Sequence, residues 1–205
     1  MKPIQTAMLS VMWLLCLLPQ LTRADENRLQ IGDPAPVWKD LRGTDGKTWS
    51  AADFADSEVL VICFTSNSCL YSQDYEARMA DFCRKYQNVP QGVKLVAINS
   101  SQKASDSFDR MQERAIEKKF PYPYLDDQDQ SVARSWGAIF TPEFFVLNKE
   151  RKVIYIGAMD DQTMADKVTK RHVEDAVDAA LQGRLPEVTA VPARGCRIPF
   201  RRSNR

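Results

Sequence analysis

The chain has 205 residues, of which 44% are hydrophobic, with 28 Lys and Arg against 27 Asp and Glu. This length suits one domain with extensions and is enough to bury a substantial core. The net charge of +1 gives no basic surface of the kind that binds DNA or RNA, and the mixed composition excludes collagen-like, coiled-coil and disordered chains. Because there is one His and no Cys-x-x-Cys motif, we expect no zinc site, no covalently attached haem and no other metal or cofactor.

The first 24 residues have the pattern of a secretory signal peptide. Lys2 supplies a positive charge, residues 8–18 are apolar but too short to cross a bilayer comfortably, and residues 22–24 suit a cleavage site. We therefore predict a periplasmic or secreted protein without a membrane span after cleavage; an uncleaved N-terminal anchor is the alternative. The mature chain keeps four cysteines in an oxidising compartment: Cys63, Cys69, Cys83 and Cys196.

Strand and helix patterns alternate over residues 25–183, which we predict to form one domain. Extended pieces at residues 37–38 and 47–49 flank an Asp-Gly turn and predict a β-hairpin. The later segments form an α/β pattern whose order predicts a central mixed sheet flanked by helices. They are strand 59–64, helix 71–86, strand 93–98, helix 108–115, short helix 131–136, strands 144–147 and 153–156, and helix 173–180. Residues 184–205 contain three prolines and are predicted to be a C-terminal tail.

A cysteine between a buried strand and a helix is the strongest chemical feature of the sequence. Residues 59–64 are continuously apolar, as in a buried parallel strand, and Cys69 lies between them and the first helical pattern. The unpaired N–H groups and the dipole at a helix N-terminus favour a thiolate, which is the nucleophile in disulfide exchange and in attack on peroxide. We therefore predict that Cys69 is a nucleophile; a structural cysteine or half of a disulfide is the alternative.

Residues 32–36, the strand leading into Cys69, and the Thr-Pro-Glu-Phe-Phe-Val-Leu segment at residues 141–147 resemble the redoxin branch of the thioredoxin-like superfamily. This branch contains the alkyl hydroperoxide reductase and thiol-specific antioxidant-like proteins. The resemblance covers about residues 30–183 and extends to a Gly-Cys-x-Ile sequence in the tail. It implies a thioredoxin-like fold with the hairpin as an N-terminal extension. It also implies a cis Thr141–Pro142 peptide that faces the active cysteine and binds an extended substrate, with an ordinary trans proline as the alternative.

The chain departs from thioredoxins at Ser72, which stands where the second cysteine of Cys-x-x-Cys would be. A serine cannot close a disulfide, but it can hydrogen-bond a thiolate, so we predict a catalytic role for Ser72 beside Cys69. The match to peroxiredoxins is also imperfect, since no arginine has an assignable position for supporting peroxide. The resemblance implies an extracytoplasmic thiol–disulfide oxidoreductase with one cysteine in its motif, acting on protein thiols or disulfides and served by a partner reductase.

The other cysteines are candidates for resolving a mixed disulfide at Cys69. Cys83 lies on the same predicted helix, roughly 21 Å away, whereas the Cα atoms of a disulfide must lie within about 7 Å. Cys63 lies inside the apolar strand, so both are predicted to be core residues. Cys196 is in the tail and could reach Cys69, so we predict that it is the resolving cysteine. The alternative is a tail cysteine that caps the core or pairs between molecules.

Two further functions compete with disulfide exchange. Peroxide reduction would oxidise Cys69 to a sulfenic acid that Cys196 resolves. A non-catalytic thioredoxin-fold binding module would hold an extended partner beside Pro142, which the missing second cysteine favours. Elsewhere we expect His172 to be a surface residue and residues 160–161 to form a solvated acidic turn.

Overall fold

A computed structural model describes residues 28–89 and 92–201; the predicted signal peptide lies outside the described residues. The helices are α1 (Leu70–Tyr86), α2 (Phe108–Lys118), α3 (Ser131–Trp136) and α4 (His172–Leu181). The strands are β1 (Leu41–Gly43), β2 (Thr48–Trp49), β3 (Val59–Thr65), β4 (Val93–Asn99), β5 (Tyr124–Asp126), β6 (Phe140–Thr141), β7 (Glu143–Leu147), β8 (Val153–Gly157), β9 (Ala190–Val191) and β10 (Cys196–Arg197). Except for the first strand of the hairpin, the predicted elements are present, and the structure adds four short strands: β5, β6, β9 and β10.

Eight strands form one mixed sheet in the order β2-β1-β5-β4-β3-β7-β8-β9. The central strand β3 is parallel to β4 and antiparallel to β7, and all seven of its residues are buried. This burial explains its continuous apolar sequence, because a strand covered on both faces needs apolar side chains on both. The α/β prediction of a mixed sheet flanked by helices is confirmed.

The two faces of β3 belong to two separate hydrophobic clusters. Val61 and Cys63 point to the face covered by α1, α2 and α4, where Tyr75 and Met79 pack. Ile62 and its alternate neighbours point to the face that contains Trp38 and Trp136. The alternation along the strand thereby anchors α1, whose first residue follows Cys69, against the sheet.

The hairpin is present, but its first strand is not the predicted one. β1 begins at Leu41 and pairs with β2, whereas Trp38 lies outside the strand and is 4% exposed. The ring of Trp38 packs 6.1 Å from that of Trp136, measured between centroids. Burial of this indole holds Trp38 in the core while Val37 stays 74% exposed, so the paired strand starts only after Asp40 has turned the chain (φ 55°).

Two polar residues predicted to be solvated are buried. Asp160 is 4% exposed and forms a salt bridge of 2.5 Å with Arg78 of α1, so the expectation of a solvated turn is wrong at this position. Its neighbour Asp161 instead accepts hydrogen bonds from Thr169. His172, predicted to lie on the surface, is 8% exposed and stacks on Tyr155. Both errors arise because the partners, Arg78 of α1 and Tyr155 of β8, are brought in by tertiary packing that leaves no local pattern.

The C-terminal segment contributes strands to both sheets. β9 is parallel to β8 at the edge of the large sheet, and β10 is antiparallel to β6 in a separate two-stranded sheet. The pairing of β8 with β9 requires glycine at position 157, because a Cβ atom there would lie 1.7 Å from the carbonyl oxygen of Val191. The boundary predicted at residue 183 stays a prediction.

Candidate active site

Cys69 lies where β3 ends and α1 begins. It caps the first helical turn with an extended backbone (φ −88°, ψ 113°) and is 1% exposed. The preceding loop is fixed by the Asp106 carboxylate, which accepts hydrogen bonds from the N–H and the hydroxyl of Ser68, both at 2.7 Å. The sulfur is therefore held at the end of α1 where unpaired N–H groups and the helix dipole favour negative charge.

The Thr141–Pro142 peptide is cis, and its loop lies directly against Cys69. The Cys69 thiol donates to the carbonyl oxygen of Thr141 at 2.8 Å, across 72 residues of sequence. The structure thus brings Thr141 and Pro142 to the cysteine, as the resemblance implied. Their role in binding substrate stays a prediction.

The second cysteine at this site is Cys196, and β10 places it there. Cys196 is the antiparallel partner of Thr141, and the Thr141 hydroxyl donates to the Cys196 carbonyl at 3.4 Å. Close approach requires Gly195, because a Cβ atom there would lie 2.0 Å from the Thr141 carbonyl oxygen. Thr141 therefore contacts both cysteines, which lie next to each other although the sequence places one of them in the tail.

The two thiols differ in acidity because one donates to the other. Burial raises the pKa of Cys69, but the side chains of Cys196 and Thr141 lower it by hydrogen bonding that favours the thiolate. The backbone N–H groups of Ser72 and Cys196 act in the same direction, and together these donors outweigh burial, so the pKa of Cys69 is lowered. The pKa of Cys196 is raised, first because its thiol donates to Cys69 and then because of burial. The balance of these effects favours a Cys69 thiolate, and the Cys196 side chain makes the largest favourable contribution.

Alkylation of Cys69 is expected to have a midpoint below the free-cysteine value of about 8.5, because the thiolate is the reactive form. Removing the Cys196 donor should raise that midpoint by about one pH unit, since a hydrogen bond to a charged group contributes about 1.5–3 kcal/mol and solvent replaces part of it. The measurement is the alkylation rate of each cysteine peptide against pH, by mass spectrometry, in the wild type and in Cys196→Ala.

Cys196→Ser is the matched control for this pH profile, since its hydroxyl can still donate and should shift the midpoint less than alanine does. Cys83 is an internal reference, because burial raises its pKa to about 12. An unchanged midpoint in Cys196→Ala would show that the Cys196 thiol does not stabilise the Cys69 thiolate.

Ser72 reaches Cys69 through its backbone rather than through its side chain. Its N–H group is one of the donors to the Cys69 sulfur. Its hydroxyl is buried and has no hydrogen-bond partner among the described residues. The side-chain hydrogen bond suggested by the Cys-x-x-Ser motif is therefore not formed in this structure, and the catalytic role of Ser72 stays a prediction.

The remaining cysteines pack in the hydrophobic core. Cys63 is fully buried in β3, and burial raises its pKa, as does the nearby Glu143. Cys83 lies near the C-terminal end of α1, on the apolar face of the helix that packs against the sheet. Within residues 28–89 and 92–201, all four cysteines are free thiols.

Glu143 is a site residue that sequence reasoning missed. It directly follows Pro142, is fully buried, and pairs with Arg28 at 2.6 Å. Its carboxylate accepts from the N–H groups of Ile139 (2.7 Å) and Phe140 (3.2 Å), so it shapes the loop that carries Thr141. Burial raises the pKa of Glu143, although these donors and Arg28 oppose that shift. An acid inside the apolar run of residues 140–147 was the available signal, since buried carboxylates are normally paired.

Neither a metal centre nor a membrane span is found in the part of the chain that the structure describes. No three His, Cys, Asp or Glu side chains among the described residues are grouped as metal ligands would be. None of the described helices combines the length and the apolar character that crossing a bilayer requires.

Two solved structures cover most of the chain. A hypothetical protein of Sinorhizobium meliloti is 32% identical, with 85% of this chain and 97% of that chain covered and a TM-score of 0.78. An uncharacterized conserved protein of Geobacillus kaustophilus is also 32% identical, with 86% and 95% covered and a TM-score of 0.78. Peroxidoxin BcpB of Mycobacterium tuberculosis is similar in fold, at 19% identity, 63% and 85% coverage and a TM-score of 0.53. No curated protein matches the sequence.

The sequence model of the AhpC/TSA family matches residues 31–156, which is more than half of the chain. This region contains the strand leading into Cys69, the helix that follows it and the cis-proline loop. The thioredoxin-like topology agrees with that match. The chain therefore belongs to the AhpC/TSA family, the redoxin branch of the thioredoxin-like proteins.

Proposed function

We propose that the chain is an extracytoplasmic thiol–disulfide oxidoreductase in which Cys69 is the nucleophile and Cys196 is the second redox cysteine. The observation that carries this proposal is the pairing of β10 with β6, which brings Cys196 to Thr141, the residue that Cys69 also contacts. Cys196 would thereby supply the sulfur that Ser72 cannot supply within the Cys-x-x-Ser motif.

The reaction consists of two thiol–disulfide exchanges. The Cys69 thiolate attacks one sulfur of a substrate disulfide, forming a mixed disulfide and releasing the first substrate thiolate. Cys196 then loses its proton and attacks the Cys69 sulfur, releasing the second substrate thiol. The substrate gains two electrons and two protons, and the chain is left with a Cys69–Cys196 disulfide. A partner dithiol reductase would return the two electrons, and the same steps in reverse would oxidise a substrate dithiol.

Disulfide exchange fits the surroundings of Cys69 better than peroxide reduction does. The groups that favour its thiolate are a thiol, a hydroxyl and backbone N–H groups. Arg114, on the neighbouring helix α2, forms two hydrogen bonds with Glu76, at 2.5 and 2.9 Å. Its guanidinium is therefore paired with a carboxylate.

The extracytoplasmic location rests on the signal pattern of residues 1–24. A dithiol that cycles to a disulfide also suits an oxidising compartment. Expression of the full chain in a secreting host, followed by fractionation and N-terminal sequencing, tests this location. A mature protein beginning at Asp25 outside the cytoplasm is expected, whereas an uncleaved chain in the membrane fraction would support an N-terminal anchor.

The redox proposal is tested by equilibrating the mature protein with reduced and oxidised glutathione and mapping its disulfides by mass spectrometry. We expect one two-electron transition that links Cys69 to Cys196, unchanged in Cys83→Ser. If both cysteines stay reduced, or carry only glutathione, at every ratio of reduced to oxidised glutathione, the oxidoreductase proposal is wrong. The binding module then becomes the better explanation. Faster oxidation by a hydroperoxide than by glutathione disulfide would instead favour the peroxidase.

A further inference from the structure

The backbone beside the cis-proline is occupied by the chain's own C-terminal segment. Arg197 pairs with Phe140 and Cys196 with Thr141, in antiparallel register. Ile198 continues the pairing, since its N–H donates to the Ile139 carbonyl at 2.9 Å. An extended polypeptide could not pair with Thr141 from this side, because the backbone hydrogen-bonding groups of β6 are already paired with β10.

The segment is held by few contacts, most of them polar. Ile198 is its one buried side chain in the core, at 7% exposure. Gln130 donates to the Pro199 carbonyl at 3.1 Å and accepts from the Arg201 N–H at 2.9 Å. The guanidinium of Arg134 lies 4.7 Å from the centre of the Phe200 ring. Such a strand is exchangeable, because release exposes little apolar surface and another strand can restore the backbone hydrogen bonds.

Gly195 shows what kind of strand fits at this position. A Cβ atom there would lie 2.0 Å from the carbonyl oxygen of Thr141 and 3.1 Å from the nitrogen of Pro142. Both neighbours are backbone atoms of the cis-proline loop, so neither can rotate away as a flexible side chain would. The site therefore accepts glycine immediately before the cysteine that faces Cys69.

We infer that residues 195–198 imitate a substrate strand, and that the edge of β6 accepts in exchange an extended segment of a partner polypeptide in which glycine precedes the reactive cysteine. This inference deepens the proposed function and rests on it. While the partner segment is bound, its cysteine is joined to Cys69 in the mixed disulfide. Return of β10 brings Cys196 to that disulfide and removes the partner strand, so resolution and product release occur together.

The sequence preference is tested with a peptide of residues 193–201, oxidised to its disulfide-linked dimer, and a matched peptide with alanine in place of glycine. Cys69 attacks the dimer and releases one peptide thiol, and Cys196 then releases the other. The reduced wild-type chain should reduce the glycine peptide at least about tenfold faster, because the added methyl group overpacks against backbone. Reduction of both dimers by dithiothreitol corrects for intrinsic reactivity. Equal corrected rates would overturn the inference.

Shielding by the tail is tested separately, by alkylation of Cys69 with iodoacetamide and with a polymer-linked maleimide. The ratio of the polymer rate to the small-reagent rate should rise about tenfold or more in Gly195→Ala, because the tail can no longer dock closely. Arg194→Ala, an exposed neighbour in the same segment, should leave the ratio unchanged. Ile198→Ala provides a second undocked variant if Gly195→Ala does not fold, as judged by thermal melting.

A ratio that stays at the wild-type value in both undocked variants would overturn the shielding role of the tail. Alkylation requires only a reactive thiol and no redox turnover. Failure of the Cys69–Cys196 disulfide to form would therefore be distinguishable from failure of strand exchange.

Discussion

Replacing Cys196 with serine is expected to stop disulfide reduction at the mixed disulfide. Cys69 keeps its place at the start of α1, so it still attacks, but no second thiol adjoins it to complete the exchange. A neighbouring thiol acts at an effective concentration far above that of dissolved thiols, so the lifetime of the adduct should increase on the order of a hundredfold or more. The measurement is the intact mass of acid-quenched samples after mixing with glutathione disulfide.

The controls for this experiment are substitutions of the nucleophile and of a cysteine distant from the site. Cys69→Ser should form no adduct, because Ser72 and Cys196 do not replace the nucleophile. Cys83→Ser should behave as the wild type, since Cys83 lies near the far end of α1. An adduct that is lost from Cys196→Ser as quickly as from the wild type would refute resolution by Cys196.

Replacing Asp160 with alanine is expected to cause the largest loss of stability among the charged positions. Arg78 is 7% exposed, and its guanidinium lies 3.7 Å from the centre of the Tyr75 ring. Without Asp160 this buried charge loses its ion pair, which typically costs about 3–5 kcal/mol. We expect about 3 kcal/mol, because the Gln162 and Thr163 carbonyls still accept hydrogen bonds from the guanidinium.

The free energy of unfolding, from urea denaturation of the reduced protein, measures this effect. Asp81→Ala is the matched control, since Asp81 pairs with Arg84 on the surface of the same helix and is 68% exposed in its side chain. That variant should change stability by no more than about 0.5 kcal/mol. Equal stabilities of the two variants would show that the buried pair contributes no more than a surface pair.

The strand–cysteine–helix unit was predictable from local pattern. The continuous apolar run of β3 can be satisfied only by burial on both faces, and the helical stripe beginning at Tyr71 places Cys69 at a helix N-terminus whatever the tertiary contacts. The mixed sheet followed from the order of such segments. Short strands such as β5 and β6 were missed because two or three residues are too few to show an alternating hydrophobic pattern. Only pairing with a neighbouring strand identifies them as strands.

The missed parts of the site depend on contacts between distant residues. The burial of Glu143 is explained by contacts with Arg28 and with the N–H groups of residues 139–140, which pair with its carboxylate. Asp160 was expected in solvent because nothing near it in sequence indicates Arg78. In both cases a charged side chain is buried at a position where the partner comes from another element, which no local pattern can reveal.

The sequence by itself determined the family resemblance, the position of the predicted nucleophile and the missing second cysteine of its motif, because each depends on neighbouring residues. Only the tertiary structure decided that Cys196 and Cys69 meet at Thr141, that Cys196 lowers the pKa of the nucleophile, and that the tail occupies the edge of β6. The physical reason is that β10 has two residues and no periodicity of its own. Its position comes from backbone hydrogen bonds to Thr141 and from the absence of a side chain at Gly195.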